Sequence, residues 1–380
     1  MEIPLSSRQT RYYEIVEPYL NHGNKPGDRE YLANILNNWS PEVDPDHDIG
    51  WALHYAISKR DDVAVRMMID SGVSVTVRQT QDPGFTPLFA AAQYGTLAMV
   101  RFFWEQTGPK GRFLPTRNFR PGQLTCLRVA ARNGQADVTA YFLEVWDGWQ
   151  EETSRALLDA ASAWCDNTVA LLLAKYSFEP EVIQDALCKA GSRRMILGEN
   201  PTKRPLIIED HLCQQRLVCR LIDAGGDPDG EDGLSNEPLI NIAASYKDCI
   251  GAVVGLLEKG ANPNRPDPQG RTALYFLFNQ REGMYRRKVH ASTDALEVLL
   301  QHGALPDSAD ENGETPLHAV ARNGTVEQVK LCLSHFKASC SKIECLELRN
   351  FNGESMLDCA KATENEEVFK FLSSQSRPEC

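Results

Sequence analysis

The sequence predicts an all-α solenoid, a stack of short antiparallel helix pairs joined by hairpin-like turns. Three observations carry this. A frame of Thr, Leu, adjacent Ala and a later Gly recurs. It reads Gly84-Phe85-Thr86-Pro87-Leu88 with Ala90-Ala91-Ala92 and Gly95, and again Leu124-Thr125-Cys126-Leu127 with Ala130-Ala131 and Gly134. A third copy is Thr315-Pro316-Leu317-His318 with Ala319, Ala321 and Gly324. Aliphatic residues at helical spacing follow each frame and stop at Gly. Turn tokens of the kind Asn262-Pro263-Asn264 come next.

The totals agree with a folded repeat array. The chain has 380 residues, of which 42% are hydrophobic, an ordinary globular fraction. In a repeat array one core can run through such a length without separate domains. The formal charge of −12 argues against a nucleic-acid or anionic-membrane surface as partner. No stretch approaches the roughly 20 apolar residues that span a bilayer. Met1-Glu2-Ile3-Pro4-Leu5 lacks the basic and apolar regions of a secretory leader. The 11 cysteines, scattered through apolar segments without any Cys-x-x-Cys pair, fit reduced thiols in a cytoplasmic or nuclear protein. Cys332, Cys340, Cys345 and Cys359 lie near one another in sequence but lack zinc spacing, so no metal or cofactor is expected.

Taken in order, residues 7–22 and 28–39 read as two helices, with Gly23 and Gly27 between them and Ser40-Pro41 ending the second. They are expected to cap the first repeat, because the ends of a solenoid need a polar outer face. A docking module over 1–45 is the alternative. The frame leucine then recurs as Leu53, Leu88, Leu127, Leu157, Leu239, Leu274, Leu317 and Leu357. The steps between them are 35, 39, 30, 82, 35, 43 and 40, and the step of 82 hides a degenerate unit, giving about nine units. Thr at the start of each first helix can accept a backbone N–H, and Pro after it loses no bond. Gly95, Gly134 and Gly324 are expected to take a left-handed turn between the two helices. Second helices carry Val65 with Met68 and Ile69, Val298-Leu299-Leu300, and Val329 with Leu331 and Leu333, and Gly72, Gly225, Gly260 and Gly303 end four of them. The expected organisation is a helical cap over 1–45, a first block over 46–175, a degenerate unit with a hinge over 176–210, a second block over 211–373, and a frayed tail over 374–380.

A period in the thirties with this content resembles the ankyrin repeat over residues 48–373. A tetratricopeptide-like or HEAT-like array would not account for the turns between units. The resemblance implies a concave binding surface made by finger tips and the exposed face of the first helices. Mapped residue by residue, the partner-binding candidates are Phe85 and Tyr94, then Arg132, then Arg271, then Glu314 and Arg322, then Phe351. Aromatic residues dominate interface energetics, which singles out Phe85, Tyr94 and Phe351. His54 and His318 hold the family's histidine position, where they resemble residues that bond across adjacent finger turns.

Two basic insertions stand out in an acidic chain: Ser192 to Pro205 and Arg281 to His290, the second with Arg286, Arg287 and Lys288. They could clamp an acidic or phosphorylated segment. Trp146, Trp149 and Trp164 crowd the third and fourth units, either as core fillers or as an aromatic pocket. No phosphate loop, Gly-x-Ser-x-Gly or His-Glu-x-x-His occurs. The expected function is a non-enzymatic intracellular adaptor or scaffold, monomeric, that binds a protein partner. A small-molecule pocket in the degenerate repeats and a regulatory subunit docking through 1–45 are the alternatives.

Overall fold

The computed structural model describes residues 26–37, 49–77, 86–108, 125–192, 208–233, 235–279, 291–335 and 346–375. The expected helix over 7–22, residues 193–205 of the first insertion and all of the second, and most of the finger over 107–122 lie outside the described residues. The chain divides into two compact units, 1–160 and 161–380.

In the first unit, α1 (Pro26–Asn37) precedes three helix pairs: α2 (Ile49–Ser58) with α3 (Asp62–Asp70), α4 (Pro87–Tyr94) with α5 (Leu97–Thr107), and α6 (Cys126–Arg132) with α7 (Ala136–Val145). The first helices stack as a row, α2 on α4 and α4 on α6. The second helices form another layer, with α1 packed on α3 and α5 on α7. The division between units falls within α8 (Gln150–Ser162).

Sequence explains where the helices begin. Thr86 and Thr125 accept the backbone N–H of Phe89 and Arg128, and Pro87 fills the first helical position. Leu53, Leu88 and Leu127 are buried with the adjacent Ala residues, so small side chains let the row pack closely. Trp149 is buried just after α7. Its ring lies 4.7 Å from Trp146, 5.9 Å from Phe142 and 6.1 Å from Trp104. Its indole N–H donates to the Phe142 carbonyl at 2.8 Å. These rings fill the core. Trp164 belongs to the second unit, where it is also buried.

In the second unit, α9 (Asp166–Lys175) is followed by five pairs. They are α10 (Pro180–Gly191) with α11 (Ile208–Asp223), α12 (Leu239–Ala244) with α13 (Ile250–Glu258), and α14 (Ala273–Phe278) with α15 (Thr293–Gln301). Then come α16 (Pro316–Asn323) with α17 (Val326–Ser334), and α18 (Met356–Ala362) with α19 (Glu366–Gln375). First helices α10, α12, α14, α16 and α18 form one layer; α9, α11, α13, α15, α17 and α19 form the other. The described residues of 176–210 include α10, with Ile183, Ala186, Leu187 and Ala190 buried, and the first residues of α11. Gln214 knits three helices. Its fully buried amide donates to the Ala190 carbonyl at 2.9 Å and accepts from Ala252 N at 3.1 Å. Gly251 lets α11 and α13 approach closely, because a Cβ there would collide with the His211 carbonyl.

Two expectations needed correction. Gly134 is left-handed at φ +71°, but Gly95 and Gly324 are not, at φ −73° and −91°. They are glycine because a Cβ would sit 2.8 Å from Ala91 Cα in one case and 2.7 Å from the Val320 carbonyl in the other. Left-handed residues do occupy other inter-helix turns, but as Arg60, Trp164 and Glu364. In α17 the buried apolar residues are Val329 and Cys332, while Leu331 and Leu333 are half-buried. A spacing of two cannot keep one helical face, whereas three can.

Candidate protein-binding face

The finger turns of the second unit position the candidate site. Three of them are built alike. Asp267, Asp310 and Asn350 each turn a side-chain oxygen back on the chain. It accepts two backbone N–H groups, from Gln269 and Arg271 (3.0 and 2.8 Å), Asn312 and Glu314 (2.8 and 2.8 Å), and Asn352 and Glu354 (3.1 and 2.9 Å). Gly270, Gly313 and Gly353 close these turns at φ +83°, +69° and +77°. Short Asp or Asn side chains suit this local bonding.

Neighbouring fingers are then cross-linked through backbone. Glu311 N donates to the Gln269 carbonyl at 3.0 Å, and Phe351 N donates to the Asn312 carbonyl at 2.9 Å. Nearer the helices, Asn264 accepts from Leu305 N at 2.7 Å and donates to the Gly303 carbonyl at 2.8 Å. The tips form a row held before any partner arrives. Gln269, Glu311, Asn312, Phe351 and Asn352 are its exposed side chains. Phe351 is 80% exposed, with an edge of its ring beside Gly313.

Behind the tips lies an ion network. Arg322, on the last turn of α16, bonds both oxygens of Glu314 and reaches Glu354 at 3.1 Å. Asn350 donates to Glu314 and to Glu354, each at 2.9 Å. Arg271 bonds Asp267 through two nitrogens, at 2.8 and 2.6 Å, and lies 4.9 Å over the Phe276 ring. Burial works against the Arg271 charge, but the bonds to Asp267 outweigh it and hold its pKa above the ordinary value. Tyr275 joins the two parts. Burial raises its phenol pKa, Asp310 and Glu314 raise it further, and Arg271 and Arg322 oppose them.

His318 holds the fold of this face. Its Nε2 donates to the carbonyls of Leu348 and Glu354 in the next finger, at 3.3 and 3.2 Å. Its Nδ1 accepts from Thr315 N at 3.2 Å, closing a capping box. His54 Nδ1 donates to the Gly50 carbonyl at 2.6 Å within its own helix. Both histidines are buried structural groups.

Of the sequence candidates, the structure brings together Arg271, Glu314, Arg322 and Phe351. Tyr94 is exposed by 41% at the end of α4, in the first unit, and its hydroxyl accepts from Gln93. Arg132 is half-buried at the end of α6. Phe85, Arg286, Arg287 and Lys288 lie outside the described residues. Tyr275 and Asn350 were missed. Aligning Asp267, Asp310 and Asn350 as one turn position would have found Asn350. Among the described residues no group of His, Cys, Asp and Glu could hold a metal ion, and no helix is long and apolar enough to cross a membrane.

Comparison with known proteins points the same way. Residues 288–379 match the family model of ankyrin repeats, with three copies. A human protein, SH3 and multiple ankyrin repeat domains protein 2, is 32% identical over 139 residues, which are 36% of this chain and 7% of that protein. An ankyrin repeat protein of Rickettsia felis is 29% identical over 125 residues, 32% of this chain and 36% of that protein. The chain therefore matches only a minor part of each relative's length. The matched repeats, the helix pairs and the cross-linked fingers together show that this chain carries ankyrin repeats within an all-α architecture.

Proposed function

We propose that the chain is a non-enzymatic adaptor or scaffold that binds a protein partner through the finger row and groove of residues 267–354. The observation that carries this reading is the finger row itself. Three like turns are locked by backbone bonds and present an exposed Phe351 beside an ordered ion network. A face fixed in advance loses little conformational entropy on binding. Exposed aromatics over such a face are the usual centres of binding energy.

Tyr94, Arg132 and Phe85, on the earlier repeats, are proposed as further partner contacts, and Arg286, Arg287 and Lys288 lie on the insertion next to residues 267–279 in sequence. An intracellular monomer is the simplest setting for such a module. The tryptophan-pocket alternative gains no support from Trp149, whose ring is packed on three sides by aromatics and whose N–H is satisfied.

The test is affinity purification from native extract with wild-type protein and with a Gln269→Ala, Asn312→Ala, Phe351→Ala variant whose melting temperature matches wild type. A protein held by the wild type and lost by the variant is the expected result. Equal capture by both would move the binding surface elsewhere.

A further inference from the structure

The charge of this face specifies its partner more narrowly. The two arginines that sequence singled out here, Arg271 and Arg322, are not available as cationic contacts. Asp267 takes up the first, and Glu314 with Glu354 takes up the second. Arg349, on the last finger, bonds the Gly353 carbonyl at 2.6 Å and pairs with Asp358 at 3.4 Å. Against these three guanidiniums stand six carboxylates: Asp267, Asp310, Glu311, Glu314, Glu354 and Asp358. Among the described residues of this face there is therefore an excess of three negative charges. Glu311 is exposed at the middle tip, on the finger whose Gly313 lies beside the Phe351 ring.

From this juxtaposition of an exposed aromatic and uncompensated carboxylates, we infer that the finger row of residues 269–352 selects a basic protein segment, one with Lys or Arg a few residues from an apolar side chain. The apolar side chain packs on Phe351, and the cation meets Glu311 and the oxygen of Glu354 that neither Arg322 nor Asn350 engages. An acidic or phosphorylated segment would meet repulsion here. The inference rests on the proposed binding role of this face and adds the chemistry of its partner.

An exposed ion contact is individually weak and screened by salt. The Phe351 contact should therefore set the affinity, and the carboxylates the choice of partner. The probes are two fluorescein-labelled 15-residue peptide pools, matched in Leu, Phe, Ser and Gly, one carrying Lys and Arg and the other Asp and Glu. Anisotropy titrations use the full chain at about 50 mM salt. The cationic pool is expected to bind at least about tenfold tighter than the anionic pool. Phe351→Ala and Glu311→Lys should each weaken the cationic pool about fivefold or more, with melting temperatures unchanged. Glu144→Lys, on an exposed helix position of the first unit, makes the same change in total charge and should have little effect.

Tighter binding of the anionic pool overturns the inference. So does equal weakening by Glu144→Lys, which would assign the attraction to the chain's overall charge of −12. If neither pool binds while the triple tip variant still loses a captured protein, the binding role stands and the basic-segment inference fails. If neither pool binds and capture is also unchanged, both fail.

Discussion

At the scale of single residues, the side chains that matter most bond across repeats. Asn264 replaces a backbone contact between two fingers, and Gln214 satisfies a carbonyl on one helix and an amide on another. A fully buried group such as the Gln214 amide would cost about 1–3 kcal/mol if left unpaired. The thiols give a pH-dependent consequence. Of the described cysteines, Cys126, Cys249, Cys332 and Cys359 are buried and Cys165, Cys188, Cys213 and Cys219 half-buried. Burial pushes Cys332 up to about 12. Burial, with Asp185 and Asp232 nearby, pushes Cys188 up to about 11. Burial also raises Cys359 to about 11, with Arg322 pulling down and Glu314, Glu354 and Asp358 pushing up. An unfolded thiol releases its proton near pH 9, while these hold theirs to 11 or 12. Within that window the folded chain binds more protons, so stability falls as pH rises through it. Denaturant midpoints should be level from pH 7 to 8 and drop between pH 9 and 11. A flat midpoint across that range would contradict the account. Iodoacetamide at pH 8 should label Cys188, Cys332 and Cys359 far more slowly in the native than in the unfolded chain.

At the scale of elements, the turn between paired helices has two solutions. One uses a left-handed residue, as at Arg60, Gly134, Trp164 and Glu364. The other uses an extended Gly followed by a Thr cap, as at Gly95-Thr96 and Gly324-Thr325. They respond oppositely to mutation. Gly324→Ala should cost about 1–3 kcal/mol, since the new Cβ meets the Val320 carbonyl at 2.7 Å and backbone must shift. Glu364→Gly should stabilise by up to about 1 kcal/mol, by removing the penalty of a left-handed non-glycine residue. Chemical denaturation of the two variants checks the pair. Two destabilisations of equal size would mean that a single turn type serves both places. Sequence made the presence of glycine legible at these turns but not its reason. The Gly95 constraint comes from Ala91 on its own helix and the Gly134 constraint from a positive φ, and both look identical in the repeat pattern.

At the scale of the whole molecule, the frame leucines were the most legible feature. Leu53, Leu88, Leu127, Leu157, Leu239, Leu274 and Leu317 are all buried, because an alanine-rich frame leaves room for one large side chain at that position. Leu357 is only half-buried, and Met356 beside it is buried instead, in a pair that no further described helix pair follows. The binding face was legible as separate residues rather than as a network. Arg322 lies eight residues after Glu314 and 32 before Glu354, and only stacking of successive fingers brings the three side chains together. Tyr275 carried no signal, since it reads as one more apolar residue in a short helix. The two compact units each carry their own rows of helices, and the match to the family model falls on the repeats of the second.

The most direct measurement places a photoreactive benzophenone amino acid at Phe351 and, as a control, at Glu144, and illuminates each full-length protein in native extract. The account predicts a protein cross-linked from position 351 and absent from position 144, with its yield lowered by Glu311→Lys in the same chain. Identical products from both positions, or none from 351, would contradict a binding face built on the finger row.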